Sequence, residues 1–265
     1  MALNLDKIKS RLNSLSNNNN KSNLLWKPTP GKQVVRIVPY KFDPENPFIE
    51  LYFHYNLNGK TFLSPDTYNR PDPIVEFANK LKGTGNKEDW SQGRALSPKM
   101  RTYVPVIVRG EEGLGVRFWG FGKQVYQELM GIVLDEDNEW GDITDLKEGR
   151  DVVVEFKTAK ETGRSYPETS IRVKLKTSTA VDPKDTKMLD MLTQQTNITE
   201  LFPEPTYDEL KSAMESHLST EDDEDVVSES VDSPSEESDA KVASTSSKPK
   251  ASSDVSNAFD ELFNG

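Results

Sequence analysis

Lys99-Met-Arg-Thr-Tyr-Val-Pro-Val-Ile-Val-Arg109 and, a few residues on, Val116-Arg-Phe-Trp-Gly-Phe-Gly-Lys123 decide the fold class. Both place β-branched and aromatic residues at alternating positions and use glycines at the bends, which is the pattern of strands. In the second, alternation puts Arg117 and Trp119 on one pleat face and Val116 and Phe118 on the other. Core faces reject charge, and solvent faces rarely collect Trp. A face with both suits a ligand that combines a phosphate backbone with flat bases, as single-stranded nucleic acid does. A half-buried strand whose arginines snorkel to solvent fits the same residues, so the rest of the chain has to discriminate.

Upstream, the compact part is expected to begin near Leu24-Leu-Trp26, with a strand at Val34-Val-Arg-Ile-Val38 stopped by Pro39. Phe48–Tyr55 and Lys60–Leu63 flank Asn58-Gly59, a strong hairpin signal. Asp72-Pro73 reads as an N-cap with proline in the first helical position, opening a helix over Ile74–Leu81. Gly83 to Arg94 reads as a polar, glycine-rich loop that holds Trp90. Downstream, Lys123–Val133 is expected to be a helix with Val125, Leu129 and Ile132 inward. A last hairpin pairs Asp151–Lys157 with Thr169–Lys176 across the basic, aromatic tip Lys160-Glu-Thr-Gly-Arg-Ser-Tyr166. About seven strands with helices inserted between hairpins, and no strand–helix–strand alternation, predict a mainly β fold. Its core is expected to be an OB-fold-like antiparallel barrel over residues 23–180.

The ends differ from this core. Residues 1–22 read as a basic amphipathic arm, with Leu5, Ile8, Leu12 and Leu15 as the stripe and Lys7, Lys9 and Arg11 on its flanks. A helix this short needs a surface to fold against, and its own domain, a second copy and nucleic acid all qualify. Residues 181–218 read as a helical extension, with short helices at 184–194 and 207–218 and Thr206 capping the second. Residues 219–265 have the composition of a disordered acidic tail. It closes on Phe259, Asp260, Glu261, Leu262 and Phe263, whose apolar members share one helical turn and read as a docking peptide. The charge follows the same division. Residues 1–180 hold 27 Lys and Arg against 23 Asp and Glu, a balance of +4. Residues 181–265 hold 6 against 21, a balance of -15, so the whole-chain value of -11 conceals a mildly basic body.

Several classes are disfavoured. The chain has no cysteine, which removes disulfides, thiol nucleophiles and thiolate zinc sites. No apolar run reaches membrane-spanning length, and the first residues lack a signal peptide's apolar core, so no membrane partner is expected. With only His54 and His217, no catalytic constellation stands out, and His54 reads as a structural or surface imidazole. The acidic runs at 135–139 and 221–225 lack EF-hand spacing and read as solvated charge. The expectation is a binding protein, not an enzyme, without cofactor or metal. The nucleic-acid reading collects Lys99, Arg101, Tyr103, Arg117, Trp119, Phe121 and Lys123 centrally, with Tyr68, Arg70, Trp90, Arg94, Arg164 and Tyr166 from flanking turns. The competing reading is an acidic-tailed interaction or assembly module whose aromatic β-face binds proteins.

The order of these motifs resembles the replication single-stranded DNA-binding proteins of T-even-type bacteriophages, with a cyanophage or marine relative as the expected source. The resemblance runs through the basic arm, Gln33-Val-Val-Arg-Ile-Val-Pro39, Asn58-Gly-Lys60, Asn86-Lys-Glu-Asp-Trp90, Lys99-Met-Arg-Thr-Tyr103, Phe121-Gly-Lys123, Gly163-Arg-Ser-Tyr166 and the terminal Asp260-Glu-Leu-Phe263. It implies an OB-fold core that binds single-stranded DNA and an arm that drives cooperative binding between copies. It also implies an acidic tail that recruits phage replication and recombination proteins, with repair among the processes served, in the cytoplasm of an infected bacterial host. It places Tyr68, Trp90, Tyr103, Trp119 and Tyr166 at or near aromatic contact positions. The family's best-known member also holds a structural zinc with three Cys and one His around a Cys-Pro-x-Cys turn. The corresponding segment here is Asp72-Pro73-Ile74-Val75, so no zinc is expected, and the Asp72-capped helix is expected to act as the local staple.

Overall fold

The computed structural model describes residues 23–135 and 140–221, together with Leu262. The arm with Lys7, Lys9 and Arg11, residues 136–139 of the acidic loop, and Phe259, Asp260, Glu261 and Phe263 lie outside the described residues. In chain order the strands are β1 (Leu25–Trp26), β2 (Gly31–Ile37), β3 (Ile49–Leu57), β4 (Lys60–Leu63), β5 (Lys99–Val108), β6 (Arg117–Phe121), β7 (Arg150–Lys157) and β8 (Glu168–Thr177). The helices are α1 (Pro73–Gly83), α2 (Lys87–Leu96), α3 (Lys123–Val133), α4 (Ala159–Thr162), α5 (Thr186–Thr193) and α6 (Tyr207–Glu221). The fold is β-rich, as expected, but mixed: helices take more of the chain than the strand pattern foretold.

The described chain forms two compact units, one from residues up to 49 with 102–201, the other from 50–101 with 202 onward. In the first, the strands run in the order β1-β6-β5-β2-β7-β8. All these pairs are antiparallel except β1 with β6. Alternation explains the core. Val35 and Ile37 of β2, Val104 and Val106 of β5, Val152 and Val154 of β7, and Ile171 and Val173 of β8 all point into one cluster. Trp26, Trp119 and Phe121 fill it, and α3 adds Val125 and Leu129.

The opposite face of β2 is held by charge. Arg36 is fully buried and donates through Nε to Asp151 at 3.2 Å and through Nη1 to the Asp145 carbonyl at 3.2 Å. Arg109 donates to the same carboxylate at 2.8 Å and to the carbonyls of Thr179 and Ala180. Burial works to raise the Asp151 carboxyl, but Arg109, Arg36 and Lys174 outweigh it and hold the group below the usual carboxylate range. This clamp seats residues 178–181, where Ala180 and Val181 join Val38, Ile107 and Leu192 in a second apolar cluster.

In the second unit, Asn58 and Gly59 adopt φ of 52° and 70°, the primed turn that suits the twist of a two-residue hairpin, and join β3 to β4. Ile74, Phe77 and Leu81 of α1 pack with Leu57 and with Leu210 and Met214 of α6. Thr206 caps α6 reciprocally with Glu209. The polar loop expected over 83–94 is instead largely helix α2, capped by the Asn86 side chain on the Glu88 amide at 3.1 Å. Its composition hid it. Apart from Trp90, Ala95 and Leu96 the helix is polar, and Gly93, read as a loop residue, is where α2 meets α1: a Cβ there would stand 2.5 Å from the Ala78 carbonyl oxygen.

Candidate nucleic-acid interface

The β6 face expected to show Arg117 and Trp119 to solvent is not an open face. Trp119 is 1% exposed and edge-on to Trp26 at 5.8 Å, with Phe121 at 4.6 Å. Phe118, on the other face, is equally buried against Tyr40. Alternation cannot separate these faces because the strand is covered on both sides. Trp119 and Phe121 therefore pack the core, and Tyr103 lies over Gly120, where a Cβ would meet its ring at 2.6 Å. Arg117 is half-buried and paired with Glu111 at 2.5 Å.

Of the remaining aromatics, Tyr68 and Trp90 are exposed and Tyr166 is half-buried, and each carries an arginine. Tyr68 ends a single 3-10 turn over Pro65–Tyr68, followed by Asn69 in the left-handed region. The Arg70 guanidinium lies 5.7 Å from its ring centroid and also pairs with Glu204 at 2.5 Å. Burial and then Glu204 push the Tyr68 hydroxyl above its ordinary value, with Arg70 acting against them. Trp90 and Arg94 sit one turn apart on α2, with 5.6 Å between guanidinium and ring, and Trp90 is 47% exposed. At the β7–β8 tip, Thr158 and Glu161 form a capping box around α4, and Gly163 in the left-handed region turns the chain. Arg164 follows, 5.8 Å from the ring of Tyr166 and 3.8 Å from Glu168.

Lys99 is exposed and Arg101 half-buried at the start of β5, while Lys123 is exposed at the first residue of α3. The structure thus joins Tyr68 with Arg70 and Trp90 with Arg94 in the second unit, and Arg164 with Tyr166 in the first. One further pair escaped sequence reasoning. Lys41 lies 5.6 Å from the ring of Phe42, which is 50% exposed and packs beside Tyr40 at 5.4 Å. The adjacent Lys-Phe before Asp43-Pro44 was the available signal.

A ring beside a guanidinium offers a base a stacking partner and a phosphate a cation within one side-chain length. Arg70, Arg117 and Arg164 each hold a carboxylate: Glu204, Glu111 and Glu168.

At the position of the family's metal turn, the residues do not fit a metal. Asp72 Oδ1 accepts the amides of Ile74 and Val75 at 2.9 and 3.2 Å. Its Oδ2 accepts the Ser64 hydroxyl at 2.5 Å and lies 2.9 Å from His54 Nε2, while His54 Nδ1 faces the Leu96 carbonyl at 2.9 Å. Each of these ligand-type atoms is already engaged inside a buried hydrogen-bond network. Burial works to raise the Asp72 carboxyl, but the His54, Ser64 and Val75 contacts leave it below its usual range. Among the described residues, no group of three or more His, Cys, Asp or Glu could hold a metal ion.

Exposed cation–aromatic pairs on a β-rich body have the chemistry of a nucleic-acid-binding surface. The family described as gp32 DNA binding protein like matches residues 29–218, most of the chain, and the chain belongs to that family of single-stranded DNA-binding proteins. No curated protein matches the chain. Among the described residues no helix is long and apolar enough to cross a membrane.

Proposed function

We propose that this chain coats single-stranded DNA without regard to sequence and cooperatively, protecting strands during phage DNA replication, recombination and repair in the cytoplasm of the infected host. The observation that carries this is the set of three arginine–aromatic pairs, Tyr68 with Arg70, Trp90 with Arg94 and Tyr166 with Arg164, at each of which the arginine is exposed. Lys99, Arg101 and Lys123 add cations, and Lys41 with Phe42 adds a fourth platform. The antiparallel run β5-β2-β7-β8 supports reading the first unit as an OB-fold. Cooperativity rests on the arm of residues 1–22, through Lys7, Lys9 and Arg11 and the apolar stripe, docking on a second copy.

The tail has two roles in this reading. Its carboxylates compete with phosphates for the cations at the high effective concentration of a tether. DNA then displaces it and frees Phe259, Asp260, Glu261, Leu262 and Phe263 to recruit replication and recombination proteins. Leu262 is exposed.

The test is intrinsic Trp fluorescence during titration with poly(dT) at low and high salt. Quenching that salt reverses supports the reading. Silence from both the full chain and a chain lacking residues 222–265 rejects it.

A further inference from the structure

β8 carries a feature outside this set of contacts. Its pleat turns Ile171 and Val173 into the core and Ser170 and Arg172 outward; past Val173 the register with β7 slips, and Lys174, Leu175 and Lys176 are all exposed. Arg172, Lys174 and Lys176 thus place three exposed cations within five residues of this strand. In register, Arg172 stands beside Val153 and Val153 beside Val34, both half-buried, so Arg172 borders an apolar strip.

Several other surface cations of this unit are engaged by carboxylates: Lys32 and Lys157 with Glu155, Arg117 with Glu111, Arg164 with Glu168. Arg172 and Lys176 have no such partner among the described residues. Lys174 reaches Asp151 at 3.6 Å, a carboxylate already held by Arg36 and Arg109. What sets β8 apart is their grouping: within five residues of one exposed strand stretch, two cations without a carboxylate and a third on a shared one are open to an added anion. Charge on an edge strand also blocks strand addition. Here, however, α3 packs against β8, and Glu128 accepts the Ile171 amide, its carboxyl raised by burial.

We propose that Arg172, Lys174 and Lys176 form a phosphate track that holds the backbone of single-stranded DNA as it runs on from the Arg164–Tyr166 tip of the same hairpin. The proposal rests on the DNA-binding reading above and extends its contact surface.

The experiment uses the full chain carrying Arg172→Gln with Lys176→Gln, sparing Lys174 because it also contacts Asp151. Affinity for oligo(dT) of increasing length is read by Trp fluorescence across a salt series. For long oligonucleotides the slope of log K against log salt becomes shallower by about 1.4, two phosphates at ~0.7 each, with the quenching amplitude retained. The shortest oligonucleotides that quench show no change. Equal slopes at every length overturn the proposal, as does self-association of the variant with unchanged slopes, which would assign the cations to edge protection. The charge-preserving pair Arg172→Lys with Lys176→Arg keeps the parent slope; a loss there too overturns the proposal, because charge would not be the cause. If the parent chain quenches with no oligonucleotide, the DNA-binding reading itself falls, a separate result.

Discussion

Gly93 rests directly on the backbone of Ala78: a Cβ at Gly93 would stand 2.5 Å from the Ala78 carbonyl oxygen and 3.2 Å from the Leu81 Cβ. Neither neighbour is the far end of a flexible side chain, so the helices must part to admit a methyl. Gly93→Ala is expected to destabilise the second unit by about 1–3 kcal/mol despite alanine's better helix propensity. Urea unfolding read by circular dichroism checks it. A neutral or stabilising result would mean α1 and α2 are not packed this closely.

Asp72 joins two elements of that unit and caps a third, with its carboxylate shared among His54, Ser64 and the first turn of α1. Asp72→Asn keeps a capping oxygen but removes the charge and puts an NH2 on one side of the network. Leaving buried partners unpaired costs about 3 kcal/mol. The same substitution combined with His54→Leu should cost less than the two changes summed, and additivity would show that the contact is not coupled.

Acid should unfold the protein through particular groups. Asp72 and Asp151 both have carboxyls held below the usual range in the folded state. Their stabilisation is complete above the unfolded value, about pH 4, and is lost as pH falls through the lower folded values. The urea midpoint should therefore be flat near neutrality and drop below about pH 4. In Asp72→Asn that drop is shallower; an unchanged acid limb would remove Asp72 from the account.

Trp90 is the most exposed of the four tryptophans, and Trp26 and Trp119 are buried. Trp90→Phe should remove most of the DNA-induced quenching while keeping affinity within a few-fold. Trp90→Ala should weaken binding about tenfold, within the ~1–3 kcal/mol of a base stack. Quenching that survives Trp90→Phe would move the contact to another ring.

Deleting residues 222–265 leaves every described helix in place and removes 12 acidic residues against 3 basic ones. DNA affinity should rise at low salt and converge with the parent at high salt. Parallel curves would deny the tail a role in gating.

The hairpin at Asn58-Gly59, the Asp72 cap, α3 and the β7–β8 pair were legible because each rests on local chemistry: a turn needing φ > 0, a side-chain acceptor, a 3.6-residue period, alternation. The arginine–aromatic pairs were legible as well, since Trp90 with Arg94 and Arg164 with Tyr166 are near neighbours in sequence. The burial of Trp119 and Phe121 was not, because period-2 alternation says which residues share a face but not which faces are covered. Helix α2 was lost for a related reason. A glycine that reads as a break is placed by its contact with Ala78, a residue of another helix. The clamp of Arg36 and Arg109 on Asp151 spans separations of 115 and 42 residues and leaves no local trace.

The chain crosses between its two units after residues 49, 101 and 201. During synthesis, the first unit waits for β8 and the 178–201 segment before its core can close, and the second waits for Leu210 and Met214. The second unit, begun at residue 50, stays open longest, since its core still lacks Leu210 and Met214 after the first unit's last residue, 201, is made. The nascent chain therefore carries two open apolar surfaces until nearly all of its structured length has emerged. The chain then meets its greatest aggregation risk before release, and chaperone occupancy of that late nascent stage should be high.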